Sequence, residues 1–189
     1  MQPKTDKLRE TLLESREIYD GRVLRVFRDE VELPDGRPAL REVVRHGGAV
    51  CVLPLFPDGR VIVEYQYRYG AGRVTCEIPA GKLEPGEDPA AAALRELEEE
   101  TGWRAARLVD LGLYYGSPAI LDEQIRMYVA LGLTPGERHP DEDENILLER
   151  IPLAELTRRV LAGEIPDGKT QCAALRAAAM LADGTLSPG

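Results

Sequence analysis

Three glutamates near the middle of the chain have the spacing of a metal-binding helix face. The segment RELEEET contains Glu96, Glu99 and Glu100, and an α-helix brings residues at i, i+3 and i+4 to the same side. Like charges at this spacing cost a helix roughly 0.2–0.5 kcal/mol per pair. A bound divalent cation would reverse that cost, and carboxylate oxygens suit Mg²⁺ or Mn²⁺. The alternative is a solvated, acid-rich surface helix.

The residues around these glutamates predict where the helix begins and ends. Asp88 can cap the first turn, Pro89 suits the first helical position and Gly102 suits the C-terminal stop. The predicted helix is therefore residues 89–101. Arg95 lies four residues before Glu99 and can hold that carboxylate in place.

Helical periodicity also assigns the other faces of this helix. The predicted core stripe consists of Ala90, Leu94, Leu97 and Thr101. Ala92 and Ala93 are expected one turn before the acidic cluster, where their small size would leave room for ions or substrate. Glu98 is expected on the solvent flank.

Composition and charge narrow the class of protein. The 189-residue chain is 43% hydrophobic and 30% charged, which is typical of one compact globular domain. Its net charge of −9 disfavours nucleic-acid binding, because phosphate backbones require a basic face. No apolar run approaches the ~18 residues of a membrane span, and no signal peptide begins the chain. Three cysteines without a C-x-x-C pair predict reduced thiols, and we expect a soluble cytoplasmic protein.

The remaining elements follow no regular strand–helix alternation, which predicts an α+β fold with helices packed on a mixed sheet. Extended segments are predicted at residues 12–19, 21–33, 39–45, 48–56, 61–67, 75–78, 106–115, 123–131 and 146–150. Two closing helices are predicted at residues 153–162 and 169–181. Segments 48–56 and 61–67 are expected to pair as a hairpin, because the residues Pro57 to Arg60 form a turn signal.

At the acidic helix the sequence resembles the Nudix hydrolase family, whose signature is G-x5-E-x7-R-E-U-x-E-E-x-G-U, where U is a bulky apolar residue. Its fixed positions are met by Gly81, Glu87, Arg95, Glu96, Leu97, Glu99, Glu100, Gly102 and Trp103. The resemblance implies an α/β/α sandwich in which the signature forms a loop, a helix and a second loop. It implies two or three Mg²⁺ ions, with Mn²⁺ as the alternative, and Glu87 supporting the loop. The implied metal ligands are Glu96, Glu99, Glu100 and the backbone carbonyl of Ala80.

Features outside the signature resemble the ADP-ribose pyrophosphatase branch of the family. Segments 64–68 and 77–81 are similar to its E-Q-x-R and E-x-P-A-G segments, so Arg68 would clamp phosphate and Glu77 would contact the substrate. A planar guanidinium suits phosphate because it donates two parallel hydrogen bonds. Ser117 and Pro118 resemble the proline segment that marks this branch. Residues 119–121 depart from its usual polar pattern, which leaves other nucleoside diphosphate sugars open.

The acidic loop at residues 136–145 resembles the loop that carries the catalytic base of that branch. Glu142 is the expected general base, Glu144 is the second candidate, and Arg95 completes the catalytic set. The predicted reaction cleaves the pyrophosphate bond of ADP-ribose by in-line attack of water, giving AMP and ribose 5-phosphate.

The N-terminal residues 1–46 are expected to form an antiparallel β extension, followed by a hydrolase domain at residues 47–189. This extension is too small to bury its own apolar face. It resembles the region through which the same branch forms domain-swapped homodimers. We therefore expect a homodimer in which Arg41 and Glu42 contribute to the adenosine pocket of the other subunit.

The sequence leaves three alternative functions open. The substrate could be GDP-mannose, another sugar nucleotide, or a dinucleotide such as FAD or NADH. The chain could be a regulatory module that senses nucleotides without cleaving them. Hydrolysis of oxidised nucleoside triphosphates is the third.

Overall fold

The structure, a computed structural model, describes residues 4–140 and 144–188. The chain divides into two compact units, Met1–Gly47 with Tyr115–Glu123 and Gly48–Tyr114 with Gln124–Gly189. None of the helices in the described ranges is long and apolar enough to cross a membrane.

The smaller unit contains a three-stranded antiparallel sheet in the order β1-β2-β3. Its strands are β1 (Thr11–Asp20), β2 (Arg25–Glu32) and β3 (Pro38–Arg45). The turn between β2 and β3 is closed by a hydrogen bond of 2.9 Å from the Gly36 amide to the Leu33 carbonyl. Residues 34–37 thus form the turn of an antiparallel hairpin between β2 and β3. Every residue of β1 is exposed to solvent within the single chain.

Within its described residues, the larger unit contains two sheets and three α-helices. Its elements are β4 (Ala49–Pro54), β5 (Arg60–Arg68), β6 (Arg73–Glu77), β7 (Ala80–Lys82), α1 (Pro89–Thr101), β8 (Trp103–Tyr114), β9 (Ile125–Pro135), β10 (Leu147–Pro152), α2 (Leu153–Leu161) and α3 (Gly168–Ala182). One sheet has the order β7-β4-β9-β8, with β4 and β9 parallel, and the other has the order β10-β5-β6. The expected α+β class is confirmed.

Side chains of β4 alternate between two hydrophobic layers, as the period of a strand requires. Val50 and Val52 pack with Leu97 of α1 in one layer. Cys51 and Leu53 belong to the other layer, which contains buried residues of α2 and α3. Helix α1 and helices α2 and α3 therefore cover opposite faces of β4, which fixes the position of the acidic helix against the sheet.

The expected hairpin between segments 48–56 and 61–67 is wrong. The turn is present, since the Phe56 amide donates to the Arg60 carbonyl at 2.9 Å, but only a single bridge, Leu55 to Val61, joins the two segments beyond it. Strand β4 instead pairs with β7 and β9, and β5 enters the second sheet. A strand buried on both faces, as β4 is, is typical of a central position with a neighbour on each edge.

Helix α1 begins and ends at the predicted residues. The Asp88 carboxylate accepts hydrogen bonds from the amides of Ala90 and Ala91 at 3.1 and 3.0 Å, and Gly102 has the left-handed φ of 71° that ends the helix. The predicted faces need two corrections. Ala92 and Ala93 are fully buried in the core and leave no room for ligands, whereas Leu94 is exposed. The apolar stripe is rotated because α1 packs on Val50 and Val52 through its smallest residues.

Candidate active site

Arg95 is the centre of a charge network that joins the signature loop to helix α1. Its guanidinium donates to the Glu87 carboxylate at 2.9 and 3.0 Å, and its Nη1 donates to Glu96 at 2.8 Å and to Glu99 at 2.9 Å. The Glu87 carboxylate also accepts from the Glu84 amide at 3.0 Å, which closes the loop. Arg95 therefore fixes the positions of two of the predicted metal ligands and of the loop that precedes them.

The backbone of β7 lies against the other signature carboxylates. A Cβ atom built on Gly81 would overlap the carboxylate of Glu96, so only glycine permits this approach. The neighbouring Ala80 amide donates to the Glu100 carboxylate at 3.0 Å. Glu96 and Glu100 are thus held on the side of α1 next to β7, together with the backbone of Ala80.

Glu64, in the middle of β5, is a buried carboxylate that the sequence did not single out as a site residue. It is completely inaccessible to solvent, and neither of its carboxylate oxygens has a hydrogen-bond partner. Across the strands it faces Glu77 of β6 and Leu148 of β10. The available signal was one acidic residue after the apolar stretch VIV of a predicted buried strand.

Burial and mutual repulsion raise the pKa values of the carboxyl groups in this region. Burial is the main cause for Glu64, Glu96 and Glu100 alike. The negative charge of Glu64 is the next contribution to the raised pKa of Glu100. The charge of Glu144 also raises the pKa of all three groups, which places Glu144 near them. Binding of a cation or a proton would relieve the repulsion among these carboxylates.

Arg68 and Glu77 form a second charged pair on the sheet of β5 and β6. Arg68 donates two hydrogen bonds of 2.9 Å to the Glu77 carboxylate, and Thr75 donates a third. Lys169, at the start of α3, also donates to Glu77 and donates to Asp167 at 3.0 Å. Burial opposes ionisation of Glu77, but the bonds from Arg68 and the charge of Lys169 lower its pKa to about 2. Glu77 is therefore a permanent carboxylate.

A cavity of about 390 Å³ opens beside this pair. Its lining residues are Arg68, Ala71, Arg73, Thr75, Glu77, Pro166, Asp167, Gly168 and Lys169. The sequence predicted Arg68 and Glu77 as substrate contacts but gave no role to Lys169. Lys169 reaches Glu77 because the first turn of α3 lies at the end of β6, where Thr170 Oγ1 accepts a hydrogen bond of 2.9 Å from the Ile78 amide. The two arginines and one lysine outnumber the two acids of the lining, Glu77 and Asp167, so the cavity keeps a net positive charge that suits an anionic substrate.

The residues present fit a hard divalent cation, although they do not form a ready-made cluster. Within residues 4–140 and 144–188, no three acidic, imidazole or thiol groups lie close enough together to hold one metal ion. Glu99 is bound by Arg95, whereas Glu100 points to the buried side. The unpartnered oxygens of Glu64, the bare backbone at Gly81 and the oxygen donors of Glu96 and Glu100 nevertheless suit Mg²⁺ or Mn²⁺.

Several predicted residues lie outside this group. Arg41 and Glu42 are on β3 of the smaller unit, where Arg41 pairs with Glu10 at 3.0 Å and Glu42 is exposed. Ser117 and Pro118 are exposed in a loop of the same unit, closed by a bond of 2.9 Å from the Leu121 amide to the Ser117 carbonyl. Glu142 lies outside the described residues.

Comparison with known proteins extends these observations. The family model described as the NUDIX domain matches residues 45–171, and the model described as the nucleoside diphosphate sugar hydrolase N-terminal domain matches residues 10–44. The ADP-ribose pyrophosphatase of Bacillus subtilis is 39% identical over 86% of this chain and 89% of its own length. The methanol dehydrogenase activator of Bacillus methanolicus is 42% identical over 85% of this chain and 88% of its own length.

A solved structure gives the same architecture. The crystal structure of an ADP compounds hydrolase matches with a TM-score of 0.76 over 95% of this chain and 98% of that one, at 24% sequence identity. The match to the NUDIX domain and the similarity to ADP-ribose pyrophosphatases make the chain a pyrophosphohydrolase. The chain belongs to the Nudix hydrolase family. Members of this family generally use divalent metals such as Mg²⁺.

Proposed function

We propose that this protein hydrolyses the pyrophosphate bond of ADP-ribose in the presence of Mg²⁺, releasing AMP and ribose 5-phosphate. The main support for this proposal is the similarity to the ADP-ribose pyrophosphatase of Bacillus subtilis over most of both chains. The cavity beside Arg68 and Glu77 supports it, because its lining includes two arginines that can donate hydrogen bonds to a diphosphate.

The chain's own residues have distinct roles in this proposal. Arg68 binds a phosphate of the anhydride, and Glu77 orients its guanidinium. Glu96, Glu99 and Glu100 hold two or three Mg²⁺ ions, or Mn²⁺, together with the carbonyl of Ala80. Once bound, the divalent cation neutralises negative charge on the phosphate oxygens and on the leaving phosphate.

Proton transfer is assigned to the acidic loop. Glu142 accepts the proton of the attacking water, and Glu144 is the alternative base. Glu144 supports this placement of the loop, since its charge acts on Glu96 and Glu100. Arg95 holds the Glu99 carboxylate so that it does not turn away from the site.

Residues 1–46 are proposed as a dimerisation extension and residues 47–189 as the catalytic domain. Strand β1 exposes apolar side chains along its whole length, including Leu13, Ile18 and Tyr19. In a homodimer these side chains would be covered. Arg41, Glu42, Ser117 and Pro118 would then contribute to the adenosine pocket. A monomeric mass in solution together with full activity would contradict this arrangement.

A panel of substrates tests the assignment of ADP-ribose. The purified protein would be assayed with Mg²⁺ against ADP-ribose, GDP-mannose, FAD and NADH, and the values of kcat/KM compared. We expect ADP-ribose to rank first. A higher kcat/KM for GDP-mannose or for a dinucleotide would reassign the substrate and leave the family intact.

A regulatory role is the second candidate, because the relative from Bacillus methanolicus is a methanol dehydrogenase activator. In a purely regulatory protein the signature glutamates would bind nucleotide without cleaving it. Binding of ADP-ribose without release of AMP in the presence of Mg²⁺ would favour this candidate.

A further inference from the structure

Glu64 differs from every other buried carboxylate that the structure describes. Glu77 has hydrogen bonds from three side chains, Glu100 has one from the Ala80 amide, and Asp29 of the smaller unit is bound by Ser15 and Arg45. Among the described side chains, only the Glu64 oxygens are buried without a hydrogen-bond partner. A buried ionised carboxylate without a partner is strongly unfavourable, so either a proton or a bound cation is expected to neutralise Glu64.

The charges of Lys169 and Arg68 act on Glu64, but neither side chain donates a hydrogen bond to it. Arg68 directs two nitrogens at Glu77, and Lys169 is bound to Glu77 and Asp167. The residue that faces Glu64 on β6 is another acid, Glu77, and the one on β10 is Leu148. The Glu64 carboxyl group therefore either carries a proton or binds a cation that is not part of the chain.

Glu100 is the acidic neighbour of Glu64 on the side of helix α1. It is also buried, with 2% of its surface exposed, and it accepts a hydrogen bond of 3.0 Å from the amide of Ala80, three residues after the Glu77 that faces Glu64. The negative charge of Glu64 acts on Glu100 more strongly than that of any other described group. Two buried carboxylates from different elements, one of them without any partner, form a setting in which a shared cation removes both repulsion and desolvation cost.

We propose that Glu64 is a ligand of a divalent cation that it shares with Glu100. This inference rests on the proposed metal-dependent function and adds to the signature glutamates a ligand from strand β5. The cation is of the Mg²⁺ or Mn²⁺ class, because both donors are hard carboxylate oxygens. Glu64 thereby connects the sheet that carries Arg68 to the helix that carries the signature.

Direct metal binding tests this role without relying on turnover. Wild type, Glu64→Gln and Glu64→Met would be stripped with chelator, and Mn²⁺ binding measured by electron paramagnetic resonance and calorimetry. We expect both variants to bind Mn²⁺ roughly 10–100-fold more weakly than wild type. The rise of Tm on adding Mg²⁺ should shrink in parallel. Without metal, Glu64→Met should melt above wild type, because an unpaired buried charge has been removed.

Asp29→Asn is the matched control, since it removes a buried carboxylate that already has protein partners. Its Mn²⁺ affinity and its Mg²⁺-induced rise of Tm should equal those of wild type. If Glu64→Gln and Glu64→Met both keep wild-type Mn²⁺ affinity, the inference is wrong and Glu64 carries a proton instead.

The same samples separate this inference from the proposed function. Cleavage of ADP-ribose by wild type with Mg²⁺, combined with unchanged Mn²⁺ affinity in the Glu64 variants, would overturn only the role of Glu64. Failure of wild type to bind Mn²⁺ and to cleave ADP-ribose would overturn both.

Discussion

Arg68 of β5 and Glu77 of β6 are joined by two hydrogen bonds of 2.9 Å, although the residue that faces Glu77 in the strand register is Glu64. The bonds use Nε and Nη2 of the guanidinium, so within the described part of the chain Nη1 is the nitrogen without a carboxylate on it. Thr75 and Lys169 also donate hydrogen bonds to Glu77 and hold its carboxylate in place. The orientation of the Arg68 guanidinium therefore depends on the network formed by Glu77, Thr75 and Lys169.

Replacement of Glu77 should therefore impair substrate binding more than turnover. In Glu77→Gln the neutral amide no longer holds Arg68 in place, and a hydrogen bond to a charged group is worth about 1.5–3 kcal/mol. We expect KM for ADP-ribose to rise about 10–100-fold, with a smaller change in kcat. Glu149→Gln, which alters an exposed glutamate of β10, is the control. A fall in kcat at unchanged KM would show that Glu77 does not act through substrate binding.

The low pKa of Glu77 predicts a pH dependence of stability. Its pKa is about 2 in the folded protein and 4.5 as the ordinary value, so it stabilises the fold above about pH 4.5 and loses this contribution as the pH falls toward 2. Each pKa unit corresponds to about 1.4 kcal/mol. Urea unfolding of wild type and Glu77→Gln should give free energies that converge as the pH falls. A difference that is constant across this range would contradict the assignment.

Variants of two adjacent glutamates on helix α1, Glu98 and Glu99, distinguish an effect on metal binding from an effect of surface charge. Glu99 is held by Arg95 at 2.9 Å beside the site, whereas Glu98 is bound to Arg104 at 2.7 Å. We expect Glu99→Gln to lower kcat roughly 10²-fold or more, since even an indirect partner of a metal ligand is worth 10–100-fold. Glu98→Gln should retain wild-type kcat with the same circular dichroism spectrum. Equal activity of the two variants would remove Glu99 from the metal set.

The identity of the general base can be decided between two glutamates of the acidic loop. Loss of the base should reduce kcat by roughly 10²–10⁴ and leave KM nearly unchanged. We expect this result for Glu142→Gln and a weaker effect for Glu144→Gln. The reverse order would assign the base to Glu144, and a change confined to KM in both variants would mean that neither glutamate accepts the proton.

Local signals in the sequence were sufficient to place helix α1. Asp88, Pro89 and Gly102 act within one turn of the residues they cap, so the limits of the helix do not depend on the rest of the fold. The choice of its buried face does depend on the fold. Leu94 is more apolar than Ala92, yet the small alanines are buried because β4 approaches α1 closely at that point.

Local sequence signals could not predict the strand pairing or the site residues that lie outside the signature. The turn after β4 predicts a hairpin, but β4 is central in one sheet and β5 belongs to another, which only the complete set of strand partners decides. Glu64 and Lys169 are separated from the signature by many residues. They approach Glu100 and Glu77 through sheet register and helix packing, so no local spacing marks them as site residues.

Mg²⁺-dependent cleavage of ADP-ribose can be measured by product analysis after incubation with the purified protein, with and without Mg²⁺. Chromatography should detect AMP and ribose 5-phosphate in equal amounts when Mg²⁺ is present, none when chelator is added, and recovery when excess Mg²⁺ is restored. Intact ADP-ribose under all three conditions, or equal cleavage in the presence of chelator, would contradict a Mg²⁺-dependent ADP-ribose pyrophosphatase.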